Sequence, residues 1–381
     1  MVCRRIRAED FRNIAECDIG FSDGINIIYG KNAQGKTNLL EAVCFFSLGK
    51  SFRGVKENEF IRFERPVTSL EMDYFSAGRD QNIKLRFSRS HKRVIEKNGV
   101  GIQRMSELIG SFRAVLFFPE HLNIIKEGPS MRRSYLDVAI SQLRPFYLKT
   151  LQQYNHILSQ RNKLIKNAPS DRKSFDTTVE FWSYQLAQKA AYITQTRINY
   201  LDAVSAEVKK CFAEMTGEKE VPDLRYSCCF RIDEQVLSDR ERLAETYFSQ
   251  LMSNHDREIA FGATVWGTHK DDIDIDLNGK SARIYASQGQ QRSLALSMKL
   301  AEGSISKKDT GEEPVLLLDD VFSELDASRR EYLTEKMKNG QVIMTACGGI
   351  DPGKTGAKVI IAEDGRFSES DSGAIPDIIP E

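Results

Sequence analysis

The sequence predicts an α/β protein that combines a parallel sheet with an antiparallel β subdomain and a helical arm. Residues 30–37, GKNAQGKT, match the phosphate-loop pattern Gly-x4-Gly-Lys-Ser/Thr and lie between the strand-like stretch 25–29 and a helical stretch. Alternating polar and apolar residues between 66 and 118 indicate antiparallel strands, and Asn98-Gly99 marks a hairpin. Apolar residues recur at helical spacing from 129 to 256, which predicts the arm.

The loop at 30–37 predicts a binding site for a nucleoside triphosphate. Its glycines let backbone N–H groups turn inward, and the helix that follows adds the positive end of its dipole. Lys36 is expected to reach the β- and γ-phosphates, and the Thr37 hydroxyl is expected to coordinate Mg²⁺. A glycine-rich turn without a ligand is the alternative, and the strand-loop-helix context disfavours it. The residues assigned to this site are Gly30, Lys31, Asn32, Ala33, Gln34, Gly35, Lys36, Thr37 and Asn38.

Two later stretches are rich in basic residues. Between 84 and 104 there are seven Lys or Arg and one acid, and either a solvated sheet face or a phosphate-contacting surface fits that pattern. Between 129 and 166 there are again seven basic residues against one acid, interleaved with aromatics, which favours contact with nucleic acid. Within the arm, Pro145 is expected to start a second helix and Asp176 to cap a third. The residues predicted to contact DNA are Arg53, Arg132, Arg133, Arg144, Lys149 and Arg161.

A second phosphate-site signal lies far downstream. The apolar run 314–318 ends in Asp319 and Asp320, as expected for a buried parallel strand whose end faces the phosphate loop. Asp319 is predicted to hold Mg²⁺ together with Thr37, and Asp320 to orient or deprotonate an attacking water. Two acids at a strand end are a weak signal alone, but paired with the loop they predict a nucleotide site.

Bulk composition excludes several classes of protein. Lys+Arg and Asp+Glu both number 54, so any nucleic-acid contact must be a local patch. Seven cysteines without a Cys-x-x-Cys pair argue for a reducing compartment and against a zinc ribbon. No signal stretch or long apolar run is present, so we expect a cytoplasmic protein without membrane contact. The tail after Gly365 is expected to be loosely ordered.

Residues 287–291, SQGQQ, precede a helical stretch and suggest an anion site at a helix start. They resemble the signature motif of the ATP-binding-cassette ATPases, with Gln288 in place of a glycine. The resemblance implies that Ser287, with Gly289 and Gln290, reaches the γ-phosphate of a nucleotide held by a second subunit. Residues 323–326, SELD, fit the same family's D-loop at that subunit interface.

Taken together, the motifs closely resemble the RecF family of bacterial recombination mediators, which is similar to the heads of SMC and Rad50 proteins. The resemblance spans about 1 to 350 and rests on 11–13 (FRN), 30–37, 118–120 (FPE), 160–162 (QRN), 269–272 (HKDD), 287–302 and 316–326. It implies an ABC-type ATPase head with the arm inserted between the Walker A loop and the signature motif. Within the first of these motifs it implies that Arg12 contacts the nucleotide.

The resemblance also implies a function. The implied protein is an ATP-dependent homodimer that binds double-stranded DNA and single-strand/double-strand junctions at gaps. With RecO and RecR, it helps load RecA. Lys36, Ser287 and Asp320 are the expected catalytic residues, with ATP and Mg²⁺ as ligands. Domain limits are predicted at 1–128 and 257–381 for the head and 129–256 for the arm.

Two departures predict slow ATP hydrolysis, and the resemblance implies that DNA stimulates it. Transporter ATPases carry a glutamate where this chain has Asp320, and a switch histidine where Thr345 follows the next strand. We therefore expect turnover below about 10 s⁻¹, the enzyme median, with hydrolysis timing the release of the dimer. An ABC transporter ATPase subunit and a clamp that binds ATP without hydrolysing it are the alternatives. A small GTPase is disfavoured because no Asn-Lys-x-Asp motif is present.

Overall fold

The computed structural model of the chain describes residues 1–217, 220–348 and 356–370. Their contacts group into two compact units. The first unit comprises residues 1–123 and 211–217 and the described part of 288–381. The second comprises residues 124–210 and the described part of 218–287.

The described residues form fifteen strands and ten α-helices. The strands are β1 (Val2–Phe11), β2 (Ile14–Gly20), β3 (Ile25–Tyr29), β4 (Val67–Ser76), β5 (Arg79–Ser88), β6 (Val94–Lys97), β7 (Val100–Gly101), β8 (Ala114–Phe117), β9 (Pro222–Ser227), β10 (Asp272–Leu277), β11 (Lys280–Ser281), β12 (Val315–Asp319), β13 (Val342–Ala346), β14 (Lys358–Glu363) and β15 (Arg366–Glu369). The helices are α1 (Lys36–Leu48), α2 (Pro129–Leu143), α3 (Pro145–Asn167), α4 (Arg172–Thr216), α5 (Glu234–Leu237), α6 (Arg240–Met252), α7 (His255–Phe261), α8 (Ala282–Tyr285), α9 (Gln288–Thr310) and α10 (Ala327–Met337).

The first unit contains a largely parallel sheet in the order β15-β14-β3-β13-β12-β8. Strands β3 and β13 are buried along their whole length, and apart from Asn26 and Thr345 their residues are apolar, as a strand covered on both faces requires. Because β3, β13 and β12 are parallel neighbours, their carboxyl ends meet at one edge of the sheet. The predicted strands at 25–29 and 315–319 are confirmed, and this edge carries the ends of both.

An antiparallel sheet in the order β2-β1-β4-β5-β6-β7 completes the first unit. It confirms the predicted subdomain and its hairpin, where Asn98 and Gly99 take φ values of 52° and 77°. Strand β8 lies within the range assigned to this sheet, but it pairs with β12 in the parallel sheet instead. Its four residues are all buried, as a parallel strand covered on both faces requires.

The second unit is mainly helical. Pro145 starts α3 as predicted, since the first helical position does not need its missing N–H. The prediction that Asp176 caps a helix was wrong: α4 begins at Arg172, and Asp176 accepts a hydrogen bond from the Arg172 side chain one turn earlier, at 2.9 Å. Residues 257–287 group with this unit because β10 pairs with β9, whereas the sequence-predicted head included them.

Two further expectations concern the order of the C-terminal tail and contact with a membrane. Arg366–Glu369 was expected to be loosely ordered, but it forms β15 and pairs antiparallel with β14. Residues 371–381, the rest of that predicted tail, lie outside the described residues. Among the helices that the structure describes, none is both long and apolar enough to cross a membrane.

A fully buried ion pair anchors the second unit. The Arg161 guanidinium donates to Glu258 at 2.6 Å, and it also donates to the hydroxyls of Ser183 at 3.0 Å and Thr264 at 2.8 Å. Neither member of the pair is exposed to solvent. Buried charges are tolerated only when they are paired and hydrogen-bonded, and this pair meets both conditions.

Removing this arginine is expected to destabilise the unit strongly. Arg161→Leu leaves the Glu258 carboxylate buried without its cation, which costs about 3–5 kcal/mol of unfolding free energy. Lys163→Leu, at an exposed position of the same helix, should change it by at most about 0.5 kcal/mol. Both tryptophans, Trp182 and Trp266, lie in the second unit, so urea unfolding followed by tryptophan fluorescence reports on it directly. Equal stabilities for the two variants would contradict the role of the ion pair.

The second unit is also expected to lose stability in mild acid through His269. Burial lowers the pKa of this imidazole to about 4, and the positive charges of Lys270, Arg133 and Arg161 act in the same direction. Between the ordinary pKa of 6.5 and about 4, the unfolded chain binds a proton that the folded chain does not. The free energy of unfolding therefore falls as the pH falls through this interval. The same fluorescence measurement should show a smaller pH dependence for His269→Gln than for the wild type.

Candidate nucleotide site

The start of α1 and the ends of β12 and β13 bring the two halves of the predicted site together. The Thr37 hydroxyl, at the start of α1, donates to Asp319 Oδ1 at 2.9 Å. The Thr345 hydroxyl, on β13, donates to the same oxygen at 2.9 Å. Asp319 ends β12 and lies opposite Thr345 in the parallel register. Residues separated by 282 positions in the chain therefore share one polar cluster, as the sequence predicted.

Lys36 lies folded over the loop that precedes it. Its ammonium donates to the carbonyls of Gly30 and Lys31, both at 2.7 Å. It also contacts the Cys347 sulfur at 3.2 Å. The Lys36 side chain is buried. The acceptors of its ammonium are backbone carbonyl oxygens of the loop, not a carboxylate. An incoming phosphate would offer this ammonium stronger, charged acceptors.

The glycines of the loop are required by geometry. A Cβ at residue 30 would come within 2.4 Å of the Ala362 carbonyl oxygen. Gly35 has a φ of 97°, a region that favours glycine, and a Cβ there would come within 2.9 Å of the Asn13 side chain. Gln34 fastens the loop to the β14–β15 turn, because its side-chain oxygen accepts from the Asp364 N–H at 2.5 Å. The loop is therefore pre-shaped, as a cradle for phosphate oxygens must be.

Charged residues surround the start of α1. Arg12, assigned to the nucleotide by resemblance, donates two 3.0 Å hydrogen bonds to the buried Glu41 and lies over the Phe60 ring. Arg53, assigned to DNA, donates to Asn38 Oδ1 at 2.9 Å. The structure therefore places Arg12, Asn38 and Arg53 around one helix terminus, beside the phosphate loop.

The acid pair at the end of β12 has two different environments. Burial raises the pKa of the Asp319 carboxyl, while the hydrogen bonds from Thr37 and Thr345 act in the opposite direction. Asp320 has a φ of 50°, a strained conformation for a residue with a side chain, and its N–H donates to the Thr345 hydroxyl at 2.9 Å. Two converging oxygen ligands, Thr37 and Asp319, suit Mg²⁺, which usually takes only one or two ligands from protein besides phosphates and waters.

The start of α9 is fixed to residues 323–326. Arg329 donates to the Gly289 carbonyl at 2.9 Å and to the Ser293 hydroxyl at 2.8 Å. Arg292 donates to the backbone carbonyl of Glu324 at 2.6 Å and to its carboxylate at 3.0 Å. Ser287 and Gln288 are exposed, and Gln290 lies in the first turn of α9. Hydrogen bonds therefore join the predicted signature stretch to the predicted D-loop.

The structure separates the predicted DNA contacts into two groups. Arg161 is fully buried, and Arg132 is only 4% exposed because it pairs with Asp272 at 2.7 Å. Assigning these two arginines to DNA was wrong, because their guanidinium groups are already used inside the fold. Half-buried Arg133 donates to the Asp271 carbonyl at 2.7 Å. Arg144 and Lys149 are exposed, and their contact with DNA stays a prediction.

Sequence reasoning missed several residues of the site. In the sequence, Thr345 is notable only because a switch histidine is expected at its position. In the structure it contacts both Asp319 and the backbone of Asp320. Its position at the end of a strand adjacent to β12 was the available signal. Arg329 and Cys347 carry no motif, so only the fold reveals that they contact the signature helix and the phosphate loop.

Comparisons with known proteins agree with this geometry. The family model described as the RecF/RecN/SMC N terminal domain matches residues 2–349. The chain is 40% identical over 345 residues to a DNA replication and repair protein RecF of Acetivibrio thermocellus, covering 91% of this chain and 93% of the relative. It is also 40% identical over 346 residues to the corresponding protein of Ruminiclostridium cellulolyticum, covering 91% and 92%.

Solved structures give the same result. A structure of the recombination mediator protein RecF with ATPrS, in the RecFOR pathway, superposes with a TM-score of 0.90 at 34% identity, covering 96% of this chain and 97% of that one. The corresponding structure with ATP has a TM-score of 0.87 at 34% identity and covers 97% of both chains. An Smc head shares the fold, with a TM-score of 0.54 at 16% identity.

Proposed function

Since the chain belongs to the RecF family of DNA replication and repair proteins, we propose that it is an ATP-dependent, dimerising DNA-binding protein of recombinational repair. The observation that carries this proposal is the contact between Thr37 and Asp319, which joins the phosphate loop to the second acidic motif. A relative of known structure is described with ATP, which supports ATP as the substrate.

Within one chain, Lys36 and the loop would hold the phosphates of ATP, and Thr37 and Asp319 would hold Mg²⁺. The loop N–H groups and the Lys36 ammonium supply positive charge at the position where an anion would lie. Asp320 would orient an attacking water. Its strained backbone supports a functional role, because such strain persists mainly where the surrounding structure enforces it.

A second copy of the chain would complete the site. Ser287 and Gln288 are exposed, and the arginines at 292 and 329 hold the surface beside them rigid. In a two-fold dimer each Ser287 would approach the γ-phosphate of the nucleotide bound by the partner copy. ATP then favours the dimer because it contacts both chains, and hydrolysis lets the dimer open.

DNA would be held mainly through its phosphates. Exposed Arg144 and Lys149 are our candidates in the arm, and half-buried Arg133 is a third. Phosphate contacts carry little sequence information, so binding should depend on DNA structure rather than sequence. We further propose that the bound dimer acts with RecO and RecR in loading RecA at gapped DNA, with weak, DNA-stimulated ATP hydrolysis resetting it.

The test is DNA binding by fluorescence anisotropy with ATP, with a non-hydrolysable analogue and without nucleotide. We expect tight binding only with nucleotide, and a linear fall of log affinity with log salt because phosphate contacts release counterions. Light scattering on the same samples should show a dimer when nucleotide is present. Binding that ignores both nucleotide and salt would overturn the proposal.

Two alternatives are separated by simple observations. A transporter ATPase subunit is disfavoured because the similar proteins identified above are DNA repair proteins. A clamp that binds ATP without hydrolysing it would release no phosphate in a single-turnover assay. The proposed enzyme should release about one phosphate per bound ATP, at a rate below about 10 s⁻¹.

A further inference from the structure

An open cavity of about 500 Å³ lies in the second unit, separate from the nucleotide site. Its walls are Arg257, Ala260 and Phe261 on α7, together with Val265 and Lys270 on the loop that follows. Two of the five side chains are cationic, one is aromatic and none is acidic. This size falls within the usual range for pockets that bind small molecules or parts of larger ones.

The aromatic and cationic groups are presented together on one helix face. Arg257 and Phe261 are four residues apart on α7, so their side chains are neighbours. The Phe261 ring is 67% exposed, although a phenylalanine is ordinarily covered. The Arg257 guanidinium lies 5.3 Å from the Trp266 ring centroid, which holds it beside the cavity.

The loop that forms the other wall is held in place by buried groups. Glu258, neutralised by Arg161, accepts a hydrogen bond from the Val265 N–H at 3.2 Å. Asn162 accepts from the Thr264 N–H at 2.8 Å. The QRN motif at 160–162, which the nucleotide site does not use, therefore supports this loop.

A second motif supports the same loop from its far end. His269 hydrogen-bonds to the Tyr154 hydroxyl at 2.7 Å and to the Thr264 carbonyl at 3.2 Å. The Lys270 N–H donates to the Gly267 carbonyl at 2.8 Å, and a Cβ at 267 would come within 2.4 Å of that same Tyr154 hydroxyl. The HKDD motif at 269–272 therefore fixes where Lys270 enters the cavity.

The charges identify an anionic occupant. Among the acids nearest in sequence, Glu258 pairs with Arg161 and Asp271 accepts from the Tyr226 hydroxyl, while Asp256 is 95% exposed, lies 3.7 Å from Arg172 and does not line the cavity. The cavity therefore presents Arg257 and Lys270 without a compensating carboxylate on its walls. The apolar walls are Ala260, Phe261 and Val265, and two cations beside an exposed aromatic ring favour a ligand that offers both a planar ring and negative charge, as a nucleotide does.

We propose that this cavity binds one nucleotide of single-stranded DNA. Phe261 stacks on the base, and Arg257 and Lys270 contact the flanking phosphates, which is how aromatic and basic side chains bind unpaired strands. A base within a duplex cannot reach the ring because it is stacked on its neighbours. The proposal rests on the proposed DNA-binding function and adds to it the place where an unpaired strand is held.

The test compares blunt duplex DNA with the same duplex carrying a single-stranded tail, using the full-length protein and a non-hydrolysable ATP analogue. For the wild type we expect tighter binding of the tailed duplex. Phe261→Ala should lose about tenfold in affinity for the tailed duplex and nothing for the blunt one. Phe261→Trp should retain the preference, and Arg257→Gln with Lys270→Gln should weaken only tail binding.

Phe181→Ala is the matched control, since this phenylalanine is 60% exposed in the same unit but lies outside the cavity. A tail containing 5-bromodeoxyuridine should cross-link to residues between 257 and 270 in the wild type, which places the strand without relying on a variant. Equal affinities of Phe261→Ala and wild type for the tailed duplex, or cross-links elsewhere, would overturn the inference and favour a protein ligand. Failure of the wild type to bind any DNA would instead refute the proposed function.

Discussion

Lys36→Met is expected to abolish both ATP-dependent dimerisation and stable DNA binding. In the structure the Lys36 ammonium lies on the phosphate loop, held by the carbonyls of Gly30 and Lys31 at 2.7 Å. Methionine keeps the length of the side chain but removes its charge and its donors. A hydrogen bond to a charged group contributes about 1.5–3 kcal/mol, so ATP affinity should fall at least about tenfold.

The effect on the dimer should be larger than the effect on one site. A two-fold dimer contains two equivalent nucleotide sites, and each site loses the binding free energy that Lys36 contributes. The dimerisation constant with nucleotide therefore falls by about a hundredfold or more. Sedimentation with a non-hydrolysable analogue measures this loss, and anisotropy measures the accompanying loss of DNA binding.

Lys50→Met is the control, because Lys50 is exposed just beyond the other end of the same helix, α1. This variant makes the same lysine-to-methionine change and removes one positive charge, but it does not alter the phosphate loop. The mechanism fails if Lys36→Met dimerises as the wild type does, or if both lysine variants lose DNA binding to the same extent.

The parallel sheet and the phosphate site could be predicted from sequence because local patterns specify them. A fully buried strand has a continuous apolar sequence, and a loop that binds phosphate with its backbone needs glycines at fixed positions. Gly30 and Gly35 are required for reasons that the motif already encodes. The closeness of Asp319 to Thr37 followed from topology, since the carboxyl ends of parallel strands meet at one edge.

Burial of charged residues could not be predicted in the same way. Arg132 and Arg161 lie in a basic, aromatic-rich stretch that resembles a DNA-binding surface, but helical spacing does not identify their partners. Those partners, Asp272 and Glu258, are 140 and 97 residues away in the chain. A basic residue becomes structural when a distant acid folds against it, and one sequence contains no record of that pairing.

The same limitation affects residues that join motifs. Arg329 connects Gly289 to the capped start of α10, where Asp326 accepts from the Arg329 N–H at 3.0 Å. Each motif was recognisable by itself, but their attachment depends on Arg292 and Arg329, which lie just outside the SQGQQ and SELD stretches, and on Glu324 within the second. It is this attachment that would let a second copy meet the signature and D-loop surfaces together.

Ser287→Arg should leave ATP binding intact and block dimerisation. Ser287 is exposed and belongs to no element that holds the phosphate loop, so nucleotide affinity of the single chain should be unchanged. An arginine there adds bulk where, in the proposed dimer, the serine would approach a bound γ-phosphate closely. Ser253→Arg, at another exposed serine, is the control and should dimerise normally. Fluorescent-nucleotide binding and sedimentation distinguish the two effects.

Mixing Ser287→Arg with Lys36→Met tests whether the site is shared between chains. In a mixed dimer, the intact loop of the Ser287→Arg chain faces the intact serine of the Lys36→Met chain, so one of its two sites is complete. Neither variant is expected to dimerise with itself, so only mixed dimers, each with one complete site of two, restore activity, to at most about half of the wild-type ATPase level. Were Ser287 to act on the nucleotide of its own chain, every site in the mixture would carry one defect, and no activity would return.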